Sequence, residues 1–332
     1  MQPIRWGIFG TGRMAATMAE ELLRLESQGA RLVAVASRDR LRASRFAERF
    51  GIEAAHASYE ALAHDPSVDM VYIATPPSEH FAHLTLCLGG DKSILCEKPF
   101  TTDATQAREA IRLARGKGLF LMEAMWTRFL PASAALRKLV GEHAIGRPEL
   151  LVGGGGFIPT PDPGHYLLSS RLGGGALLDA GVYLVSIASM LLGKPRHVRA
   201  SGDIGAHGVD EHDCFILDHD GGSRALLYIS LRTRRPPDLE LLGSAGRIQI
   251  SAPIFRPTKL TLSRPSHEDE ILEFPIEGSG YGYQLIAAMG ARRDGRSETT
   301  EMPLEETQSI MTTMDEIRRQ FAPAGVPQAQ SA

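Results

Sequence analysis

The chain has 332 residues and a mass of 36.0 kDa, enough for two domains that each bury their own core. Its 36 basic and 39 acidic residues give a formal net charge of -3 without a long block of either sign, which argues against nucleic acid or an anionic membrane and favours a small-molecule partner. No apolar run of eighteen residues and no secretion signal is visible, so a cytosolic protein is expected.

Short apolar runs alternate with helical stretches from residue 4 to about 124. The runs predicted as strands are 5–9, 32–37, 70–75, 93–97 and 119–124. The stretches between them, such as 14–25 and 102–117, carry apolar residues three and four positions apart, as amphipathic helices do. This alternation predicts an α/β fold, with a Rossmann-type doubly wound parallel sheet, as a first domain over residues 1–124.

The pattern changes after about residue 145 to longer strands of alternating polarity. These predicted strands are 213–217, 224–232, 239–250 and 259–263, and the predicted helices are 176–192, 283–293 and 304–321. Consecutive strands joined by turns predict an α+β domain over 125–321 with a large, mostly antiparallel open sheet. The tail 322–332 contains Pro, Gly and Gln and is predicted to be disordered.

A glycine-rich turn between the first strand and the first helix predicts a dinucleotide site. It comprises Gly10, Thr11, Gly12, Arg13 and Met14, followed by a small alanine. The first glycine permits a tight turn, the second lets a pyrophosphate approach the backbone, and the helix start offers unpaired N–H groups. A glycine-rich turn without a ligand is the alternative, and the strand-turn-helix context disfavours it.

The end of the second strand bears on which cofactor binds. A carboxylate at this place would hydrogen-bond the ribose 2′-hydroxyl of NAD, but the chain has Ser37 and Arg38 there. A planar cation and a neutral hydroxyl suit a 2′-phosphate, so NADP is predicted over NAD. Two alternatives remain open: Arg38 is a solvated residue at a helix start, or Asp39 turns to the ribose.

A lysine follows the fifth strand in the sequence Cys96-Glu97-Lys98-Pro99. Because the carboxyl ends of parallel strands line the ligand crevice, Lys98 is predicted to face the nicotinamide. Together with the fingerprint and Tyr72-Ile73-Ala74-Thr75-Pro76, this Glu-Lys-Pro sequence resembles the glucose-fructose oxidoreductase (Gfo/Idh/MocA) family over nearly the whole chain. For the cofactor, the resemblance implies further contacts from Thr75, Pro76, His80, Glu97 and Lys98.

Asp179 and Tyr183 are four residues apart on the predicted helix 176–192, so both can reach one substrate. The family carries an Asp-x-x-x-His/Tyr pair here, usually with histidine. Tyr183 and the segment 121–131 resemble the branch with dimeric dihydrodiol dehydrogenase and NADP-dependent D-xylose dehydrogenase. The resemblance implies that Tyr183 exchanges the substrate proton and that Asp179 positions the substrate. A phenol with a pKa of about 10 is a poor base, so an ammonium such as Lys98 must favour its phenolate or relay the proton.

Several other polar residues receive weaker predictions. Trp126 and Arg128 follow the sixth strand and are predicted substrate-pocket residues, with packing between domains as the open alternative. His83 is predicted to lie on the surface, and residues 211–213 to form a solvated strand start. Cys87, Cys96 and Cys214 lie in apolar runs without metal spacing, so reduced core thiols are expected, with neither disulfide nor metal. The glycine run 153–156 and the loop 159–165 follow no recognisable pattern, and a role in shaping substrate access is the expectation for them.

The sequence therefore predicts an NADP-dependent dehydrogenase that transfers a hydride to or from a sugar or a cyclic diol. D-xylose-like aldoses and trans-dihydrodiols are the leading substrates. A keto-sugar reductase and a non-catalytic sensor of NADP or sugar are the alternatives. Nothing in the chain covers the second face of the sheet at about 213–276, and the resemblance implies that a homodimer, or a dimer of dimers, forms through it.

Overall fold

The computed structural model describes residues 2–159 and 166–321. The predicted disordered tail 322–332 and nearly all of the loop 159–165 lie outside the described residues. The chain forms two compact units, the first made of Met1–Leu130 and Ile276–Gln308, the second of Pro131–Pro275 and Ser309–Ala332.

Helices and strands are numbered in chain order. The strands are β1 Ile4–Phe9, β2 Ala30–Ala36, β3 Ala54–His56, β4 Met70–Ile73, β5 Ser93–Glu97, β6 Leu121–Ala124, β7 Pro148–Gly156, β8 Pro195–Ile204, β9 Asp210–His219, β10 Arg224–Ser230, β11 Arg235–Gly243, β12 Gly246–Ile250, β13 Lys259–Ser263 and β14 Glu270–Glu273. The helices are α1 Arg13–Arg24, α2 Arg40–Phe50, α3 Tyr59–Ala63, α4 Pro77–Gly89, α5 Ala104–Lys117, α6 Pro131–Gly141, α7 Val182–Leu192, α8 Gly282–Arg293 and α9 Leu304–Arg318.

The first unit is built on a parallel sheet of six strands in the order β3-β2-β1-β4-β5-β6. This order reverses direction between β1 and β4, which is the switch point where doubly wound sheets bind their ligands. The predicted Rossmann fold is confirmed. The crossover helices start at side-chain caps where the sequence provides them, for instance Asp39 before α2 and Asp103 before α5.

A late segment of the chain completes the first unit. Residues Ile276–Gln308 belong to it, whereas the sequence placed all of 125–321 in the second domain. Leu121 N donates to Ser297 O at 3.0 Å, which extends the edge of the sheet beyond β6. Glu21 of α1 accepts a hydrogen bond from Ser279 N at 2.7 Å. Both contacts join residues that are far apart in the chain, so they leave no local pattern from which the sequence could place this late segment.

The second unit contains an eight-stranded sheet in the order β14-β13-β12-β11-β7-β10-β9-β8. All neighbouring pairs are antiparallel except β7 and β10. The predicted mostly antiparallel sheet is confirmed, with two differences. The predicted strand 239–250 is a hairpin, β11 and β12, that turns at residues 244–245. Helix α6 and strands β7, β8 and β14 were not predicted.

The glycine run 153–156 forms the end of β7, which lies between β10 and β11 in the sheet. Gly153 and Gly154 have φ values of +146° and +145°, where L side chains are strained. A Cβ on Gly154 would lie 2.0 Å from Tyr228 O, and one on Gly153 would lie 2.2 Å from Asp238 O. The flanking strands therefore require glycine, although a run of glycines argues against a strand in the sequence alone.

The two faces of the eight-stranded sheet differ in what packs against them. One face is apolar and buried, and α6 and α7 pack on it. The other face carries Arg199, Cys214, Ile216, Leu226 and Tyr228 around a concavity of about 700 Å³. The prediction that all three cysteines are core residues is wrong for Cys214, which is exposed because it alternates onto this second face. Cys87 and Cys96 are buried as predicted.

The helical stretch Ser170–Leu192 is long and apolar enough to cross a membrane, with a mean hydropathy of 1.8. Of the 18-residue window that has this hydropathy, 78% is buried inside the protein. Such burial is typical of the core helix of a globular domain, because the apolar side chains are already removed from water.

Candidate active site

The predicted dinucleotide turn lies at the switch point of the first sheet. Gly10 has a φ of +101°, and its N–H donates to Ala36 O at 2.9 Å, which ties the end of β1 to the end of β2. A Cβ at Gly12 would meet nothing within 4 Å, so open space faces this backbone. Helix α1 has no capping side chain and no acidic residue in its first turn. Its free N–H groups and positive dipole end fit a pyrophosphate.

The end of β2 carries the residues that bear on NAD or NADP. Ser37 is buried, and its hydroxyl accepts a hydrogen bond from Asp39 N at 3.2 Å. Asp39 caps α2, where its carboxylate accepts from Leu41 N at 2.9 Å and from Arg42 N. The side chain of Arg38 is exposed. The Asp39 carboxylate thus caps the helix, and the exposed cation of Arg38 lies beside it.

An aromatic cluster that the sequence did not single out lies next to Arg38. The Tyr59 ring is 4.4 Å from the His83 ring and 4.8 Å from Phe9, centroid to centroid. Burial raises the pKa of the Tyr59 phenol, and the Arg38 charge opposes this shift. The prediction that His83 is a surface residue is wrong: it is 7% exposed, and its Nδ1 lies 2.9 Å from Thr75 Oγ1. Burial, the largest cause, lowers the pKa of His83 to about 4, so the ring is neutral at physiological pH.

His80 lies between the segments that follow two strands, β4 and β5. Its ring is fully buried, with Nε2 at 2.8 Å from Thr75 O and Nδ1 at 2.9 Å from Pro99 O. Because carbonyl oxygens only accept, both bonds form at once only with a protonated ring, yet burial lowers the pKa of His80. A neutral ring donates to one carbonyl. The cofactor contact predicted for His80 stays a prediction.

Lys98 follows β5 at the carboxyl edge of the sheet and is partly exposed. The neighbouring Glu97 is buried. Its carboxylate accepts a short hydrogen bond from Tyr72 Oη and a second one, of 3.2 Å, from the backbone N–H of Lys98. Burial and the negative charge of Glu97 raise the pKa of Tyr72 well above its usual value. The Glu97 carboxylate thus anchors the backbone that carries Lys98.

Trp126 and Arg128 are held by contacts within the first unit. The Trp126 ring stacks on Tyr281 with centroids 4.3 Å apart. The Arg128 side chain is 2% exposed, forms an ion pair with Glu306 and donates to Glu301 O at 3.2 Å. A buried guanidinium needs such a partner for its charge, and the pocket roles of Trp126 and Arg128 stay predictions.

A buried acid on β6 was missed by the sequence interpretation. Glu123 is completely buried, and its Oε1 accepts from Phe100 N at 3.2 Å. Burial raises the pKa of Glu123 to about 7, against the opposing effects of Thr307 and Arg128. A glutamate within an apolar strand signals this burial, although the strand alone does not reveal its partners.

In the second unit, Asp179 and Tyr183 lie on one continuous helical segment. Residues Leu177–Gly181 form a π-turn that leads directly into α7, a feature frequent at functional sites. Asp179 accepts a hydrogen bond from Tyr166 Oη at 2.6 Å. Tyr183 is 8% exposed, and its ring lies 5.9 Å from the ring of Phe255. Tyr166 was missed because it adjoins the loop that could not be interpreted.

Asp210 and Asp213 at the start of β9 are buried, whereas Glu211 and His212 are partly exposed, so the predicted solvated strand start at 211–213 is wrong for Asp213. Asp213 has no exposed surface and Asp210 is 5% exposed. Burial raises the pKa of Asp213 to about 10, and the neighbouring Asp210 carboxyl adds to the shift. Asp210 Oδ2 accepts from Leu177 N, the first residue of the π-turn, at 2.6 Å. His212 faces the other way and lies 3.0 Å from Ser230 Oγ.

The structure thus brings the predicted residues together in two sets. In the first unit, the carboxyl edge of the sheet carries Gly10, Thr11, Gly12, Arg13, Met14, Ser37, Arg38, Thr75, Pro76, Glu97 and Lys98. In the second, one helix carries Asp179 and Tyr183. Within the described residues no group of three or more His, Cys, Asp or Glu side chains could hold a metal ion.

Two family models match the chain. One is described as an oxidoreductase family with an NAD-binding Rossmann fold and covers residues 4–125; the other is the GFO/IDH/MocA C-terminal domain and covers residues 133–249. A trans-1,2-dihydrobenzene-1,2-diol dehydrogenase of Mus musculus is 35% identical over 330 residues, which are 95% of this chain and 96% of the relative. The enzyme of that name in Homo sapiens is 34% identical over 325 residues, again 95% of this chain and 96% of the relative.

Solved structures agree with this relationship. KijD10, a 3-ketoreductase from Actinomadura kijaniata in complex with NADP and TDP-benzene, is 28% identical with a TM-score of 0.85, covering 97% of this chain and 99% of that chain. A levoglucosan dehydrogenase in complex with NADH has a TM-score of 0.88 over 96% of this chain and 97% of its own, and at 19% identity it supports the fold alone. Both halves of the chain, the fold and the end-to-end identity agree, and the protein belongs to the GFO/IDH/MocA family of oxidoreductases.

Proposed function

We propose that the protein is an NADP-dependent dehydrogenase that transfers a hydride between the nicotinamide and a trans-dihydrodiol or an aldose such as D-xylose. The observation that carries this proposal is the identity of 33–35% with enzymes named trans-1,2-dihydrobenzene-1,2-diol dehydrogenase, along 95% of the chain. The partly exposed Lys98 and the phenol of Tyr183 supply the acid-base groups that such a reaction needs.

The bound nicotinamide supplies or accepts the hydride, and the protein handles the proton. In oxidation we assign Tyr183 Oη as the group that takes the hydroxyl proton. The ammonium of Lys98 favours the phenolate or relays the proton, because an isolated phenol is a weak base at neutral pH. In reduction Tyr183 donates, and Lys98 stabilises the developing alkoxide. Asp179 accepts a hydrogen bond from a neighbouring substrate hydroxyl and thereby orients the ring, with Tyr166 holding its carboxylate.

The test measures whether the purified protein turns over candidate substrates with either of the two cofactors. NADP and NAD are each offered with a trans-dihydrodiol, D-xylose and a panel of other aldoses and polyols, and the absorbance of the reduced cofactor is followed. Oxidation of a diol or aldose with NADP supports the proposal. Cofactor binding without turnover of any alcohol or carbonyl contradicts it and favours a sensor.

A keto-sugar reductase is the second candidate, favoured by the 28% identity with KijD10, whose description is 3-ketoreductase. The same protein given NADPH and keto-sugars distinguishes the two. A kcat/KM at least tenfold higher for a keto-sugar than for every alcohol would assign the reductase.

The preference for NADP rests on the end of β2. The carboxylate of Asp39 caps α2, and the exposed cation of Arg38 lies beside it. The substitution Arg38→Ala is expected to raise the Kd for NADP about ten- to a hundredfold, because a charge-assisted bond to phosphate contributes about 1.5–3 kcal/mol. The Kd for NAD should change little. Titration calorimetry with both cofactors measures this without any substrate.

The matched control for Arg38→Ala is Arg45→Ala, which removes an exposed arginine from α2, the helix that begins after Arg38. This variant should bind both cofactors as the unmodified protein does. Equal losses of NAD and NADP affinity in Arg38→Ala would mean that Arg38 contacts the adenine or shapes the site, and the 2′-phosphate assignment would fail.

We also propose a homodimer formed through the second face of the eight-stranded sheet, and the reducing cytosol as the compartment, where free thiols such as Cys214 persist. Ile216 and Leu226 are each 37% exposed, and they lie opposite one another on β9 and β10. An apolar patch of this kind on a sheet face marks an interaction surface.

Charging this face should separate the subunits. The double substitution Ile216→Lys and Leu226→Lys is expected to give a monomer of about half the mass in light scattering at micromolar concentration. Leu23→Lys, at an exposed position on α1, is the control and should leave the mass unchanged. A monomeric unmodified protein, or a charged variant with undiminished mass, would remove this face from consideration.

A further inference from the structure

Two buried carboxyl groups at the start of β9 are not used by the proposed proton transfer. Asp213 has no exposed surface, and no other described group donates a hydrogen bond to either of its oxygens. The carboxyl of Asp210, which is 5% exposed, lies close enough to raise the pKa of Asp213. Two buried carboxylates repel each other and neither has a hydrogen to donate, so a proton held by one of them would turn this repulsion into a hydrogen bond.

A β-bulge explains how residues three apart come to face each other. In the pairing of β8 with β9, Asp203 is opposite His212 whereas Ile204 is opposite Asp210, so one residue of β9 is extra. The extra residue reverses the alternation of side chains along the strand. Asp210 and Asp213 therefore share the buried face, while His212 lies on the other.

Little positive charge compensates this pair. The titratable groups that act on Asp213 are Asp210, Asp203 and Arg232, with the thiol of Cys214 next to it in sequence. Arg232 is 44% exposed and already forms ion pairs with Asp203 and Glu211. Gly202 makes room for the carboxyl, since a Cβ there would lie 2.6 Å from Asp213 Oδ1. A proton, and not a cation, is the available means of removing one negative charge.

The pair is joined directly to the helix that carries the substrate residues. Asp210 Oδ2 accepts from Leu177 N at 2.6 Å, which caps the first turn of the π-turn two residues before Asp179. Gly175 has a φ of +119°, and a Cβ there would lie 2.3 Å from Asp210 Oδ1, so the backbone approaches this carboxylate closely. A carboxylate at a helix N-terminus is favourable, and here it also fixes where the helix begins.

We propose that Asp210 and Asp213 are positioning residues of the reaction: protonated Asp213 donates to the carboxylate of Asp210, which in turn holds Leu177 and so sets the position of Asp179 and Tyr183. This inference rests on the proposed function. Asp213 acts as a neutral hydrogen-bond donor, and Asp210 is the charged group that carries the contact to the helix.

The roles of donor and acceptor predict different effects for conservative substitutions. Asp213→Asn keeps an N–H donor toward Asp210 and should retain kcat/KM within about twofold. Asp213→Leu has a similar shape but no donor, and Asp210→Asn removes the charge. Each of these two should lower kcat by about ten- to a hundredfold, the range for losing a charge-assisted hydrogen bond, with the Kd for NADP unchanged. Asp220→Asn, at the exposed hairpin after β9, is the control.

Two measurements that need no turnover separate this inference from the proposed function. The infrared difference spectrum between the unmodified protein and Asp213→Asn at neutral pH should contain the carbonyl stretch of a protonated carboxylic acid. Hydrogen exchange at the Leu177 amide should accelerate in Asp213→Leu and not in Asp213→Asn. These readouts stand even if no diol or sugar is turned over.

Absence of the protonated-acid band overturns the proposal, as does an Asp213→Asn variant as impaired as Asp213→Leu. Should Asp213→Leu fail to fold, the proposal is tested by the infrared band and by hydrogen exchange at the Leu177 amide in Asp210→Asn. Slow exchange at Leu177 in Asp210→Asn would also overturn the proposal.

Discussion

Tyr183→Phe is expected to lower kcat by about 10²- to 10⁴-fold, the usual contribution of a general acid-base group. Phenylalanine retains the ring that lies 5.9 Å from Phe255 and removes only the hydroxyl, so folding should be unaffected. Steady-state kinetics with the best substrate of the panel, together with calorimetric NADP binding, measures the effect. NADP affinity should be unchanged, because the lost group handles the substrate proton.

Lys98→Met should cause a loss of similar size and also move the pH dependence. Methionine keeps the length of the side chain without its charge, so the phenol loses the ammonium that favours its ionised form. The rising limb of kcat against pH should therefore shift to higher pH. Lys138→Met on the exposed surface of α6 and Tyr283→Phe on α8 are the controls. Activity above about one tenth of the original in either active-site variant would refute the assigned proton transfer.

The stability of the protein should depend on pH through Asp213. The folded state holds the pKa of this carboxyl at about 10, whereas its ordinary value is 3.8, so between these values the folded state keeps a proton that the unfolded state has lost. Its contribution to stability is therefore complete below about pH 3.8 and is lost progressively as the pH rises toward 10. Asparagine cannot ionise and removes this dependence.

In Asp213→Asn the free energy of unfolding should exceed that of the unmodified protein by an amount that grows with pH, by about 1.4 kcal/mol per pH unit between pH 5 and 8. Urea unfolding at several pH values measures the free energy of unfolding of both proteins. Contributions from other titratable groups, such as Glu123, are common to both proteins and cancel when the two values are subtracted. Asp220→Asn should show no such slope. Parallel curves for Asp213→Asn and the unmodified protein would mean that Asp213 is ionised in the folded state.

The parts of the first unit that the sequence predicted well are those with local causes. The strand-turn-helix at Gly10 and Gly12 needs particular residues at fixed spacing, and the acidic cap at Asp39 is a neighbour of the helix it begins. His83 was wrongly placed on the surface because its burial depends on a partner elsewhere in the chain, Tyr59, and the burial of Arg128 likewise depends on Glu306. A histidine or an arginine alone does not disclose such a partner.

The second unit was harder to predict because its exceptions are backbone features. The glycines at 153 and 154 lie in a strand since the neighbouring chains leave no space for a Cβ. The bulge near Asp210 places this side chain on the buried face that Asp213 shares, which simple alternation along the strand does not predict. The pair Asp179 and Tyr183 was found on one helix as expected, but the π-turn that contains Asp179 has no signature in the sequence.

Because Ile276–Gln308 completes the first unit, the nucleotide-binding half is interrupted in sequence by the whole of the segment 131–275. During synthesis the first unit cannot be completed until about nine tenths of the polypeptide has been made, because its last segment ends at Gln308. A fragment ending near residue 130 would expose the sheet edge at Leu121 and leave the Arg128 guanidinium without Glu306. Dividing this protein into independently expressed halves therefore requires circular permutation, with the late segment joined ahead of Met1.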